Sequence, residues 1–324
     1  MSAQGTIASK LSEEGVHPAS DDEAWQESVF LAWYDRERGI GGIHRLGIEP
    51  NRGLSNMWCG IFRDGGKCFR HNDQGVPLKD YPGGKGFQCG PQAFFHNDRS
   101  IFWTLDDEDC QVRLELEDLP SGNLWTENTE SMAAVSIIGH FHHHCRVRGT
   151  VTLEGKTFEI DGCAWRDHSW GPRHWGSILH HRCFSGSFSD DHAIDFYSLL
   201  DEHGALSRGG VIASDGEVKQ VKDFHFTVAI DDDGLTAESA DVTGTLPDGK
   251  PFAARFDLAG AVVVETREYV GIETVGTITL DSGETGFGYM AVSNNARAGR
   301  AQPPLSINAI SQAGLSDRHP RAGA

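Results

Sequence analysis

Hydrophobic and polar positions alternate with period two along much of this 324-residue chain. In Gln111-Val-Arg-Leu-Glu-Leu-Glu117 the apolar residues Val112, Leu114 and Leu116 fall on one side and the polar residues on the other, the mark of a half-buried strand. Phe224–Ile230 and Ile272–Leu280 repeat the pattern, and Glu159–Arg166 and His192–Leu200 carry a weaker form. Between the runs lie Asp64-Gly65, Glu154-Gly155-Lys156, Asp215-Gly216, Asp233-Gly234, Asp248-Gly249 and Asp281-Ser-Gly283. Such pairs supply the positive φ that tight hairpins need. One short helix is predicted, over Asp21–Val29, capped by Ser20 or Asp21. Many short antiparallel strands joined by tight turns imply barrels or sandwiches, so the fold class is mainly β.

The length suggests two domains. The expected division is a flexible N-terminus over 1–24, an N-terminal β domain over 25–155, a C-terminal β domain over 156–295 and a flexible tail over 296–324. Irregular loops such as Lys79–Pro91 concentrate in the first half. The last segment carries four Arg against one Asp and reads as a mobile tail on an acidic body, with Leu305–Ile310 as an apolar stretch able to dock.

Charge and motifs remove whole classes of function. The net charge of −19, from 47 acids against 28 bases, repels phosphate backbones and anionic membranes, so no nucleic-acid partner is expected. The seven cysteines are odd in number and show no Cys-x-x-Cys spacing, which argues against a disulfide framework or zinc ribbon and for reduced thiols in the cytoplasm. Met1–Glu23 has no apolar core of a secretory signal, and no run of 18 apolar residues spans a membrane. No Gly-x-Ser-x-Gly elbow and no dinucleotide fingerprint is present. Gly83-Gly84-Lys85-Gly86 lacks the spacing of a phosphate loop. The acid runs Asp106–Asp109 and Asp231–Asp233 read as solvated turns rather than calcium sites. No cofactor is expected, and a homodimer is left open.

The chemistry concentrates in Asp161-Gly-Cys-Ala-Trp-Arg-Asp-His-Ser-Trp-Gly-Pro-Arg-His-Trp175, where three Trp share fifteen positions with acids and bases. Adjacent Asp167 and His168 point to opposite faces of a regular strand, so a direct pair needs a kink. With Gly171-Pro172 turning the chain, the stretch is expected at a strand end or bulge. Asp195 and Tyr197 share a strand face with Ala193 and Leu199. Burial there is expected to raise the Asp195 pKa, and a carboxyl kept protonated suits protonation of an alkene or enol. Trp and Tyr faces would stabilise the developing cation. The candidate catalytic residues are therefore Asp167, His168, Asp195 and Tyr197. Candidate substrate-binding residues are Trp165, Arg166, Trp170, Arg173, Trp175, His142 and His144. The same cluster also reads as architecture, since buried polar groups often only satisfy backbone groups and pin a bulge.

Gly139-His-Phe-His-His-His-Cys145 is the second unusual stretch. On a strand, His140, His142 and His144 share one face, a spacing that suits zinc or iron. No acid at fixed spacing completes a ligand set, so the histidines are read as lining, with no metal assigned.

Arg166-Asp-His-Ser-Trp-Gly-Pro-Arg173 resembles a motif of bacterial proteins with paired lipocalin-like β domains, related to the carotenoid 1,2-hydratases (hydroxyneurosporene synthases) and, distantly, to fungal Diels–Alderases. Gly149–Gly155, Ile160-Asp-Gly162, Gly47–Asn51 and Trp58 extend the resemblance. It implies two lipocalin-like antiparallel β-barrel or sandwich domains packed together. By analogy His168 and Trp170 would line an active site and Asp195 would donate the proton. The leading expectation is a cofactor-independent lyase (hydratase or dehydratase) or isomerase or cyclase. It would act on a hydrophobic terpenoid- or aromatic-like small molecule. The alternatives are a non-catalytic lipocalin-type binder of an apolar metabolite and a metal-dependent enzyme using His140, His142 and His144.

Overall fold

The computed structural model describes residues 14–64, 68–81, 85–97, 100–120, 138–221, 223–230, 236–265, 269–294 and 314–315. The first sheet contains β1 (Trp25–Asp35), β2 (Ile40–Glu49), β3 (Leu54–Arg63), β4 (Phe69–Pro77), β5 (Gly86–Cys89), β6 (Gln92–His96), β7 (Ile101–Asp106), β8 (Cys110–Asp118), β9 (Gly139–Leu153) and β10 (Lys156–Pro172). The second contains β11 (Ile178–Ser187), β12 (Ala193–Asp201), β13 (Leu206–Ser214), β14 (Glu217–Gln220), β15 (Asp223–Ile230), β16 (Ala237–Thr245), β17 (Pro251–Glu265), β18 (Val270–Leu280), β19 (Thr285–Asn294) and β20 (Gly314–Leu315). Strand order is β4-β3-β2-β1-β10-β9-β8-β7-β6-β5 in one and β14-β13-β12-β11-β19-β18-β17-β16-β15 in the other, with β20 beside β17. All pairings are antiparallel. The first sheet rolls into a nearly closed barrel and the second into a half-barrel, the two-domain lipocalin-like β fold that the pattern implied.

The strands expected from alternation are present as β8, β15, β18 and β12. In β8, Cys110, Val112, Leu114 and Leu116 are buried and the residues between them are exposed. Glu154-Gly155 and Asp215-Gly216 take positive φ at both positions, as a two-residue type I′ hairpin requires. Gly65, Asp231–Asp233, Gly234, Gly83-Gly84 and Leu305–Ile310 lie outside the described residues.

Three expectations are corrected. Asp21–Val29 is not a helix: Asp22 caps a turn, its Oδ1 accepting the Ala24 N–H at 2.8 Å, and β1 starts at Trp25. Every residue of β1 is buried because the strand has the barrel core on one face and the second sheet on the other, so its polar/apolar pattern never shows period two cleanly. The motif at 167–171 is not a bulge, since β10 keeps unbroken register with β1 and β9 through it. The N-terminus is docked from Glu14 onward, with Glu14 itself buried. The expected boundary at 155–156 is the tight turn of the β9–β10 hairpin, inside the first sheet, and the chain crosses to the second sheet between Pro172 and Ile178.

Each sheet wraps its own core. Leu31, Trp33, Phe94, Trp103, Val147 and Ala164 belong to the first, and Phe184, Phe196, Phe224, Phe256 and Met290 to the second. Between the sheets lies a third apolar layer, in which Phe30, Tyr34, Trp58, Phe62 and Trp165 meet Val262, Val275, Phe287 and Tyr289. Gly260 permits the close approach, because a methyl group there would lie 2.5 Å from the Phe62 ring.

Candidate functional site

Register divides the motif into two environments. Arg166, His168 and Trp170 face into the first barrel, while Trp165, Asp167 and Ser169 face the seam between the sheets. Asp167 stands opposite His142, and Trp165 opposite His144, so His140, His142 and His144 also face the seam. This is the strand alternation that the sequence implied.

At the seam, β9 and β10 of the first sheet meet β11, β12, β18 and β19 of the second. Asp195, 1% exposed, receives His142 Nε2 at 3.1 Å and His144 Nε2 at 3.6 Å. Ser185 Oγ donates to Asp195 Oδ1 and lies 3.2 Å from His144 Nε2. Burial pushes the Asp195 carboxyl up, but the charges and hydrogen bonds of His142 and His144 outweigh it and hold the group below the usual carboxylate range. The expected rise is thus corrected: the acid is ionised, because burial came with two imidazole partners. Asp167 is likewise held low. Burial opposes its ionisation, while His140, 3.4 Å away, and Arg173 favour it. Burial lowers the His140 ring.

The protonated carboxyl of the seam is Glu273, on β18. The group is half-buried, and burial raises its pKa from the ordinary 4.5 to about 7, with the Asp167 charge adding to the rise and Tyr289 and Arg45 opposing it. Tyr289 Oη donates to Glu273 Oε2 at 2.5 Å. The Tyr289 ring stacks on Trp165 with centroids 4.4 Å apart, and His142 packs against the same indole at 5.1 Å. Arg45 and Arg173 are tied down beside them. Arg45 donates to Asn56 and Gln26, and Arg173 donates to Ser169 Oγ at 2.5 Å. Trp175 lies under the Arg173 guanidinium at 5.3 Å and packs on Tyr269. Tyr197 is half-buried on the Asp195 face of β12.

The barrel face of β10 is a separate charged cluster. Arg166 makes a bidentate pair with Asp118 at 2.9 and 2.7 Å and reaches Glu14 at 2.7 Å. His168, fully buried, sits between Glu27 at 2.9 Å and Glu14 at 3.4 Å. Burial disfavours the imidazolium, yet these two carboxylates raise its pKa. Trp170 stacks on His17 at 3.6 Å. A side chain at Gly139 would collide with the Trp170 indole. His168 and Trp170 therefore do not share a surface with Asp167 and Asp195, so the expected scheme in which His168 orients the Asp195 donor is corrected.

Sequence reasoning missed Glu273, Tyr289, Arg45, Glu27, Glu14 and His17. Glu273 interrupts the polar face of Ile272–Leu280 as an ordinary outward acid would, and only the second sheet's approach makes that face interior. The histidine run does not converge as a ligand set. Among the described residues, the one group of three or more His, Cys, Asp or Glu with ligand atoms all within 4.8 Å of one another is His17, Glu27 and His168. No helix among the described residues is long and apolar enough to cross a membrane.

The fold is similar to three solved structures. A protein assigned as AttH from Nitrosomonas europaea is 14% identical, with TM-score 0.64 over 87% of this chain and 95% of that one. CghA is 10% identical, with TM-score 0.61 over 89% and 95%. Kievitone hydratase from Nectria haematococca is 10% identical, with TM-score 0.55 over 83% and 88%. At these identities the likeness is one of fold. No curated protein matches the sequence. A family model covers residues 10–296. The chain therefore belongs to the family described as domain of unknown function DUF7064.

Proposed function

We propose that the protein is an acid–base lyase or isomerase acting on a hydrophobic small molecule held in the seam between the two sheets. Hydration or dehydration of a carbon–carbon double bond is the first choice. The observation that carries the proposal is Glu273, a half-buried acid raised to about 7 and hydrogen-bonded by Tyr289 beside the Trp165 face. A general acid works best with a pKa near the working pH. The name of kievitone hydratase agrees with the class, though its low identity carries fold rather than chemistry.

In this scheme protonated Glu273 gives its proton to one alkene carbon. The cation left on the other carbon lies against the Trp165 and Tyr289 faces, whose quadrupoles stabilise it. His140, kept neutral by burial and oriented by Asp167, takes a proton from the attacking water, which adds to the cation. Glu273 is reprotonated from solvent, so the net change is addition of water. Asp195, His142, His144 and Ser185 hold the wall of the site, and Tyr197, Arg173 and Trp175 border it. The donor role moves from Asp195 and Asp167 to Glu273, because both aspartates are held ionised.

The test is a screen of terpenoid and aromatic alkenes in ¹⁸O-labelled water, read by mass spectrometry. Label uptake is expected in the product, with a loss of about 100-fold or more in Glu273→Gln, the scale of a missing general acid. A folded Glu273→Gln protein that keeps the wild-type rate overturns the assignment. Saturable ligand binding without turnover across the screen favours a non-catalytic binder instead.

A further inference from the structure

The barrel face of β10 holds a cluster that the acid–base scheme does not use. His17 Nδ1 lies 2.6 Å and His168 Nε2 2.9 Å from the same oxygen, Glu27 Oε1. The other oxygen, Glu27 Oε2, accepts the His17 backbone N–H at 2.9 Å, which fixes the carboxylate's orientation. Glu27 and His168 are completely buried, and the His17 side chain is 22% exposed. On its far side His168 Nδ1 faces Glu14 Oε2 at 3.4 Å, and Glu14 is anchored by Arg166. The walls are aromatic: Trp170 stacks on His17, and Phe87 and Phe141 meet His168 edge-on.

We propose that His17, Glu27 and His168 form a binding site for a divalent transition metal of the zinc or iron class, with Glu14 orienting His168 from behind. Two imidazoles and one carboxylate are a donor set that suits these ions and leaves coordination positions open, whereas calcium and magnesium favour all-oxygen shells. A carboxylate on the far nitrogen of a ligating histidine is the usual supporting arrangement of such sites. Charge points the same way. Glu14, Glu27 and Asp118 face one permanent cation, Arg166, and a divalent ion between neutral imidazoles brings the cluster to neutrality. The ion would tie the N-terminal segment at His17 to β1 and β10 across the first barrel. This site is distinct from the His140–His144 face.

The test uses the full-length protein, stripped with chelator and titrated with Co²⁺ alone. One equivalent is expected to bind, with visible ligand-field bands and with affinity that falls as pH falls, because the imidazoles must lose their protons. The bands should vanish in His17→Ala, chosen because its ring is partly exposed, and survive in His203→Ala and His225→Ala, whose side chains are 83% and 75% exposed. Glu14→Gln is expected to weaken binding by about 10- to 100-fold. Absence of stoichiometric uptake, or full bands in a folded His17→Ala, overturns the site. X-ray absorption on the wild-type cobalt protein needs no variant. Two imidazoles with oxygen ligands support the site, and three imidazoles place the ion on the histidine run and overturn it.

Discussion

Replacing Glu273 by Gln tests the electrostatics of the seam without knowledge of the substrate. Glutamine keeps the size of the side chain and a carbonyl to accept the Tyr289 hydroxyl, and it removes only the ability to ionise. In the folded chain the carboxyl titrates near 7 against an ordinary 4.5. At about 1.4 kcal/mol per pKa unit, that difference is roughly 3 kcal/mol of cost to the folded state when the group is charged. Solvent screening at a half-buried position reduces it, so about 1–3 kcal/mol is expected. The sign follows from the protons bound. Below about 4.5 both folded and unfolded chains hold the proton and there is no cost. Between 4.5 and 7 only the folded chain holds it, and above 7 the folded chain bears the full cost. Glu273→Gln should therefore match wild type near pH 4.5 and become more stable than wild type by about 1–3 kcal/mol at pH 8. Urea melts of both proteins across that range measure it. A difference independent of pH, or a Gln variant that loses stability relative to wild type as pH rises, refutes the reasoning.

Other outcomes follow from the same geometry. Tyr289→Phe removes the hydrogen bond that favours the Glu273 carboxylate, so the carboxyl should titrate above the wild-type midpoint of about 7 by ¹³C NMR, and an unmoved or lower value contradicts the pairing. Asp195→Asn leaves His142 and His144 without their buried anion and should cost about 3–5 kcal/mol in denaturant melts at pH 7; a cost below about 1 kcal/mol would show that the cluster is not an ion pair. Because the Asp195 carboxyl is held low, its contribution is present above the ordinary Asp range and lost as pH falls below it, so the Asn penalty should shrink in acid. Arg166→Met strands Glu14 and Asp118 and should destabilise by a similar amount, accompanied by protease cleavage near residues 14–17; a resistant N-terminus contradicts the anchoring role.

Elements with one wet face could be read directly from the sequence, and elements with two dry faces could not. β8 and β15 alternate because solvent bathes one side, and the hairpins at Glu154-Gly155 and Asp215-Gly216 announce themselves through their backbone needs. β1 is buried throughout, so Gln26, Glu27 and Ser28 read as helix-start chemistry rather than as polar groups inside a strand. The site was half legible. Residues 161–175 and 140–144 marked the right strands, and alternation put Asp167 and His168 on opposite faces. What alternation cannot show is which element approaches each face. Glu273 and Tyr289 reach the seam from strands more than 100 positions away in sequence, and His17 and Glu14 belong to a segment with no periodicity. The direction of the Asp195 shift was missed for the same reason, since burial alone argues upward and only the paired histidines reverse it.

The most direct test of the central claim is the pH dependence of kcat/KM for a substrate found in the labelled-water screen, in wild type and Tyr289→Phe. The seam chemistry requires the rate to fall above a midpoint of about 7 in wild type, as Glu273 loses its proton, with the midpoint moved upward in the variant. A rate that rises through that range, or a midpoint that Tyr289→Phe leaves in place, would mean that Glu273 is not the acid.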